Sequence, residues 1–341
     1  MKSRVSVQSD SRVTDASEVM SQILETLERS TRVLVGSHVD PDGDALGSQL
    51  AMGQYLRDLG KTVYLMRDSQ VPDKYTFLPG VEQIKPAGTF PSELSVDAAV
   101  ILECPVLDRV GSAARFLTDR TTVISIDHHR DSLAFGAINW VNVGASSVGE
   151  MVCDYFRAVG YELNGDVATQ LYTAILTDSG RFRYQSTTAH TMRVAADLIE
   201  AGADPRRICD NVYYNMRPTT IKLIGKVLNT VEFHDFGRIC VLTLTKEMFA
   251  SAGAEEFESD GLVDFTMSNK GVIAGVLLKE NSASGTKVSL RSSNGVNVAA
   301  IAADYGGGGH FNAAGCTIPK PMLEARGEII RRLTEELNAR S

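Results

Sequence analysis

The strongest constraint on the fold is a series of short apolar runs of strand length, separated by helical patterns and turns. They are TRVLVGS from residue 31, KTVYLMR from 61, DAAVILE from 97 and TTVISID from 121; a helical pattern from Ala45 to Leu59, stopped by Gly60, separates the first two. Near-continuous Val, Ile and Leu suits strands covered on both faces. Strands alternating with helices argue for a parallel sheet wrapped by helices, because each parallel connection must cross back over the sheet. Helical patterns follow at 147–159, 165–177 and 188–201, the last closed by Gly202. A second strand-rich region begins with GRICVLTLT at 237 and includes GVIAGVLLKE and TKVSLRSS, and a helix over 319–338 ends the chain. The expected organisation is α/β: a loose polar tail over 1–17, a parallel-sheet domain over 18–203, a helical linker over 204–232 and a smaller α/β domain over 233–341.

Three of these strands end in acid. In open parallel sheets, binding sites form beyond the carboxyl ends of the strands. The first strand runs into GSHVDPDGDALGS, which places His38, Asp40, Asp42 and Asp44 within seven positions; DAAVILE ends at Glu103; TTVISID ends at Asp127, followed by His128 and His129. Asp178 lies at the end of an apolar helical run in YTAILTDSGRFRY, where burial costs free energy unless the charge is paired. Singly, each has an ordinary explanation: Asp42 and Asp44 as turn and N-cap residues, the His pair as surface residues, Asp178 as a helix-terminal acid. Those explanations are independent, whereas one cation accounts for all of them.

His38, Asp42, Asp44, Glu103, His128 and Asp178 form a carboxylate and imidazole set suited to divalent first-row metals. Six ligands exceed what one zinc takes. They fit two ions about 3.5–4 Å apart, bridged by a shared carboxylate and a hydroxide. Asp40 is left as a turn or supporting residue.

Composition narrows the alternatives. The 341 residues are 43% hydrophobic and 22% charged, as in a soluble two-domain protein, and the net charge of −8 disfavours extended contact with duplex nucleic acid. A small anionic substrate stays compatible where a metal supplies the positive charge. No apolar run approaches the roughly 20 residues of a membrane helix. The start, MKSRVSVQSDSRVTDAS, lacks the apolar core of a secretory signal, so a cytoplasmic protein without membrane contact is expected. The five cysteines are scattered and include no C-x-x-C pair, which argues against a disulfide framework or zinc knuckle.

The segment DYGGGGHFNAAG at 304–315 is a second candidate site. Gly306 to Gly309 would let backbone N–H groups approach an anion, with His310 as a further donor and Arg291 of VSLRSS as a guanidinium partner. The lysine and Ser/Thr of a P-loop are absent. The competing reading is a flexible loop.

Taken together, HVDPDGDALGS, LECPVLDRVG, SIDHHRD, LTDSGRFRY, SLRSS and GGGGHFNAAG resemble the DHH-superfamily phosphoesterases, closest to the nano-RNase and pAp-phosphatase group with a DHH-associated C-terminal domain. The resemblance runs from about Ser21 to Leu333. It implies a two-metal centre, with Mn²⁺ preferred and Mg²⁺ or Co²⁺ as substitutes. His38 and Asp42 would hold one ion; Asp44, His128 and Asp178 would hold the other; Glu103 stands where most relatives place a bridging Asp.

By the same resemblance, Asp127 orients a histidine and His129 faces the scissile phosphate. Arg291, Gly307, Gly308, Gly309 and His310 would hold the rest of the substrate across an interdomain cleft. Arg109 is either a substrate contact or a structural pair. The implied activity is hydrolysis of di- to pentanucleotides, pAp, linear pApA or cyclic di-AMP through a metal-bridging hydroxide, by a 3′-5′ exonuclease or nucleotide phosphatase. The group also suggests a homodimer. The rivals are a pyrophosphatase or polyphosphatase of the same superfamily and a non-catalytic nucleotide-binding module.

Overall fold

The computed structural model describes residues 16–281, 285–293 and 295–339, except the His310 side chain. Most of the expected tail lies outside the described residues; Ala16 and Ser17 open the first helix. The chain divides into two compact units, Met1–Asn215 and Met216–Ser341.

The first unit runs α1 (Ala16–Arg29), β1 (Arg32–Gly36), α2 (Gly43–Asp58), β2 (Thr62–Arg67), β3 (Lys85–Pro86), β4 (Ala98–Leu102), β5 (Thr122–Asp127), β6 (Ile138–Val141), α3 (Val148–Ala158), α4 (Gly165–Asp178), α5 (Ala189–Glu200) and α6 (Pro205–Tyr213). Its strands form one parallel sheet in the order β3-β2-β1-β4-β5-β6. Every residue of β4 is buried. Alternate residues serve opposite faces: Val33, Val35, Val100 and Leu102 join the core shared with α2, α3 and α4, whereas Leu34, Ala99 and Ile101 pack with Val110 and Phe116. Covering on both faces explains why these strands read as unbroken apolar runs. The strand order reverses between β1 and β4, so their following loops part and leave a crevice at the carboxyl ends.

Helix α2 lies buried along almost its whole length against α4. Small residues make the approach feasible. A Cβ at Gly47 would overlap the Gln170 carbonyl oxygen of α4, and one at Gly149 of α3 would lie 2.5 Å from Ala174 Cβ. With Gly43 set against Thr177, these contacts bring the first turns of α2 and α3 beside the C-terminal half of α4.

The second unit runs α7 (Pro218–Leu228), β7 (Glu232–His234), β8 (Ile239–Leu244), α8 (Lys246–Ala252), β9 (Ala274–Asn281), β10 (Gly285–Ser292), α9 (Val298–Ala303), β11 (Gly308–His310), β12 (Ala313–Ile318) and α10 (Met322–Asn338). Its sheet order is β11-β12-β10-β9-β8-β7, antiparallel except for β8 with β9. The segment read as a helical linker divides between the units: Ile208 and Val212 of α6 join the first core, while Leu223 and Val227 of α7 pack with Leu242, Leu244 and Leu277. Among the described residues, no helix is long and apolar enough to cross a membrane.

Gly47→Ala should destabilise the protein by about 1–3 kcal/mol, because the obstructing atom is backbone and the helices must part. Gly225→Ala, within α7 and with nothing near its added Cβ, should instead stabilise by up to about 1 kcal/mol. Chemical denaturation of both variants checks the pair of signs.

Candidate metal centre

The loop after β1 and the first turn of α2 supply three of the expected residues. His38 is buried, with Nδ1 2.6 Å from the Val39 carbonyl oxygen and 3.4 Å from Arg109 Nη2. Asp42 is the N-cap of α2: its Oδ1 accepts from the Asp44 and Ala45 N–H groups at 3.0 Å each. The cap occupies one carboxylate oxygen and leaves the other for a different role, so capping and ligation are compatible. Asp44, fully buried, accepts from the N–H groups of Val148 (2.6 Å) and Gly149 (2.8 Å), the first residues of α3. A helix N-terminus is a favourable place for a carboxylate. Asp40 is exposed at φ 55° in the turn, with its N–H on Ser69 Oγ.

Glu103 follows β4 with φ 55°, unusual for a residue with a side chain, and is buried. His128 and His129 follow β5. His128 Nδ1 donates to the Ala145 carbonyl (3.1 Å), and its Nε2 lies 3.4 Å from Glu103 Oε2 and 3.3 Å from Asp178 Oδ2. His129 Nδ1 donates to Asp127 Oδ1 (2.7 Å), and its Nε2 lies 3.5 Å from Glu103 Oε1. In all three histidines Nδ1 lies against an oxygen acceptor; for His38 it is the Val39 carbonyl at 2.6 Å, nearer than Arg109 Nη2 at 3.4 Å. The proton therefore belongs on Nδ1, and Nε2 is the position available to a cation.

Ligand atoms of Glu103, His128 and His129 lie within 4.8 Å of one another, as do those of Asp44, His128 and Asp178. His38 and Asp42 stand outside these two groups, although Asp42 is close enough to act electrostatically on both Asp44 and Asp178. His128 belongs to both groups, yet with Nδ1 engaged it has one lone pair and cannot join two ions. Glu103, with two oxygens, can.

The acids repel one another. Burial, then the Glu103 and Asp178 charges, raises the Asp44 carboxyl well above the usual carboxylate range. Burial pushes Asp178 to about 7; His128 pulls against it, while Glu103 and Asp42 add to it. Asp178 also ends α4, where the helix dipole disfavours an anion. Burial works against charge on His128 and His129, but Glu103 with Asp178 beside the first, and Glu103 with Asp127 beside the second, outweigh it and raise both. A bound cation relieves this crowding, and an oxygen and imidazole donor set suits a divalent one. Cys104, adjacent in sequence, gives its S–H to the Val106 carbonyl, and burial pushes its thiol to about 12, so no thiolate competes.

In the second unit, Arg291 Nε donates to Asp264 Oδ1 (2.7 Å) and Nη1 to the Leu290 carbonyl. Two donors thus hold the guanidinium within its own unit. The glycine run is not a flexible loop: Gly308–His310 forms β11 against β12. A Cβ at Gly307 would overlap the Gly315 carbonyl, and Gly309 adopts φ 138° close to Ala313, whereas Gly308 is exposed with open space around it. The His310 side chain lies outside the described residues. Sequence reading missed the Ala145–Glu150 segment that holds Asp44 and His128. Its visible signal is the S-x-x-E capping pattern at Ser147 to Glu150.

Mn²⁺ should raise the melting temperature of the wild type, by an amount equivalent to about 2.7 kcal/mol at one hundred times Kd, and EDTA should reverse it. Asp178→Asn should reduce that shift while leaving the metal-free protein equally or more stable. Because the folded carboxyl titrates near 7, above its unfolded 3.8, ionisation destabilises the metal-free fold as pH rises through that window. Metal-free wild type should therefore gain more stability than Asp178→Asn when pH falls from about 8 to about 5; equal gains would contradict the assignment.

Residues 32–175 match the DHH family N-terminal domain, and residues 237–339 match the DHHA1 domain. The chain is 33% identical over 325 residues to the bifunctional oligoribonuclease and PAP phosphatase NrnA of Thermus thermophilus, covering 94% of each protein. It is 26% identical over 301 residues to the Bacillus subtilis protein of the same description, covering 87% of this chain and 93% of that one. The crystal structure of an exopolyphosphatase-related protein from Bacteroides fragilis matches with a TM-score of 0.87 at 27% identity, over 94% of this chain and 96% of that one. With both domains matched in order and the identity extending over nearly the full length, this chain belongs to the DHH phosphoesterase family, in the form that carries a DHHA1 domain.

Proposed function

We propose that this protein is a metal-dependent hydrolase of short nucleotides, cleaving oligoribonucleotides of dinucleotide to pentanucleotide length and the 3′-phosphate of pAp. The observation that carries the reading is the convergence of Asp44, Glu103, His128, His129 and Asp178 beyond β1, β4, β5 and α4, in a chain that resembles NrnA along its length. His38 and Asp42 would hold one divalent ion and Asp44, His128 and Asp178 the other, with Glu103 between them and Mn²⁺ preferred over Mg²⁺ or Co²⁺. Such ions supply Lewis acidity at phosphoryl oxygens and a water acidic enough to act near neutral pH.

The protein's own groups do the rest. Asp127 fixes the His129 ring, and His129, when protonated at Nε2, can give a hydrogen bond to a phosphoryl oxygen as charge develops. Arg109, beside His38, adds a positive charge at the same end of β1. The left-handed backbone at Glu103 is the kind of local strain that persists where a side chain must point one way. In the second unit, Arg291, the Gly307–Gly309 backbone and His310 would hold the remainder of the substrate.

The test is purified protein with Mn²⁺, offered RNAs from dinucleotide to decanucleotide, pAp, linear pApA, cyclic di-AMP, pyrophosphate and polyphosphate. Mononucleotide release from the shortest RNAs and phosphate release from pAp are expected. Turnover of pyrophosphate or polyphosphate alone would sink the reading, and nucleotide binding without turnover would make the protein a binding module. Polyphosphate is included because the Bacteroides relative is described as exopolyphosphatase-related. Gly308→Ala should raise KM for short RNA several-fold with kcat and melting temperature little changed, because open space surrounds the new methyl group until a substrate fills it; an unchanged KM would remove the glycine run from the substrate site.

A further inference from the structure

We infer that Glu150 is a positioning residue for the metal centre, acting through the segment Ala145–Gly149 that grips Asp44 and His128 together. The inference rests on the assignment of those two residues as ligands. The segment presents opposite polarities to its neighbours: the Ala145 carbonyl takes the His128 Nδ1–H, and the Val148 and Gly149 N–H groups meet the two Asp44 oxygens. One short stretch of backbone thus sets the tautomer of one ligand and the direction of the other. The segment is linked back to β5: the Ala145 N–H donates to the Asn142 carbonyl at 3.1 Å, and the Asn142 N–H to the Asp127 carbonyl at 3.0 Å.

Glu150 anchors the segment to α5. The buried carboxylate accepts, at Oε2, from Ser146 Oγ (2.5 Å), Ser146 N–H (3.3 Å) and Thr191 Oγ1 of α5 (2.7 Å). Ser146 and Thr191 are themselves fully buried. Ser147 Oγ caps α3 by accepting from the Glu150 N–H, as the S-x-x-E pattern leads one to expect. The Glu150 side chain, however, reaches Ser146 and Thr191, so helix capping does not account for where its charge goes. A buried carboxylate is costly to desolvate and is kept where donors converge on it. Here they converge to fix the segment that bears on two ligands of one ion.

Glutamine is the same shape and keeps an acceptor oxygen for Ser146 and Thr191, but it removes the negative charge that strengthens those hydrogen bonds at Oε2. Thr191→Val removes one donor without changing volume, and Thr191→Ser restores it. Mn²⁺ binding, followed by electron paramagnetic resonance and calorimetry, should show one of two ions weakened about 10–100-fold in Glu150→Gln. The other ion should be unaffected. Thr191→Val should weaken the same ion less, and Thr191→Ser should match the wild type. With short RNA at fixed Mn²⁺, kcat should fall with little change in KM, and added Mn²⁺ should restore it.

Folded Glu150→Gln with both affinities intact would overturn the inference, as would a lower metal-free melting temperature with both affinities intact, which marks a purely structural carboxylate. Should Glu150→Gln fail to fold, Thr191→Val and Ser146→Ala decide by the same two affinities. Asp44→Asn run alongside separates the two levels. Unchanged Mn²⁺ binding there refutes the ligand assignment itself, whereas loss of an ion there with none in Glu150→Gln refutes the positioning role alone.

Discussion

Everything at the centre depends on holding three mutually repelling acids, Asp44, Glu103 and Asp178, around one imidazole in a place with little water. Such an arrangement opposes folding in the absence of a cation, since each buried carboxylate loses solvation and gains like-charged neighbours. The surrounding backbone is arranged to tolerate it. Asp44 sits on the N-terminus of α3, and each histidine has Nδ1 turned to an oxygen acceptor. The scaffold keeps the acids close, and the chemistry follows from that crowding.

Rigid elements supply the closeness. β1 and β4 are neighbours in the middle of a parallel sheet, and the reversal of strand order between them opens the crevice into which their acids project. Gly47 and Gly149 let the helices that carry Asp44, Asp178 and the Ser147–Glu150 turn approach to backbone contact. Large side chains there would part the helices and separate charges that act only when near one another. Helix packing beside the ligands therefore sets the electrostatics of the centre.

The two candidate sites differed in how legible they were. At the first, the residue types were informative because carboxylates and imidazoles at successive strand ends share one explanation, and the structure brings five of them together. Asp42 illustrates why single-residue reading stays ambiguous: its cap and its proximity to Asp44 and Asp178 are both real. At the second, GGGG invited a loop reading, yet Gly307 and Gly309 are glycine because β11 lies so close to β12, leaving Gly308 as the position without a fold reason. The short β3, β6, β7 and β11 went unread because so few residues carry too little periodicity to identify a strand, and β12, AAGCTI, because its Ala and Gly give little strand signal.

By itself the sequence determined the parallel α/β architecture, the two-part organisation and the kinds of ligand atom available, because periodicity and residue chemistry are local properties of a chain. Tertiary structure decided which donors meet. It put His128 between Glu103 and Asp178, gave Asp44 a helix N-terminus more than a hundred residues away, and turned Glu150 from a helix cap toward Ser146 and Thr191. Those pairings join residues distant in sequence, and their strength depends on separations of a few ångströms and on exclusion of water, neither of which is written in any one stretch of the chain.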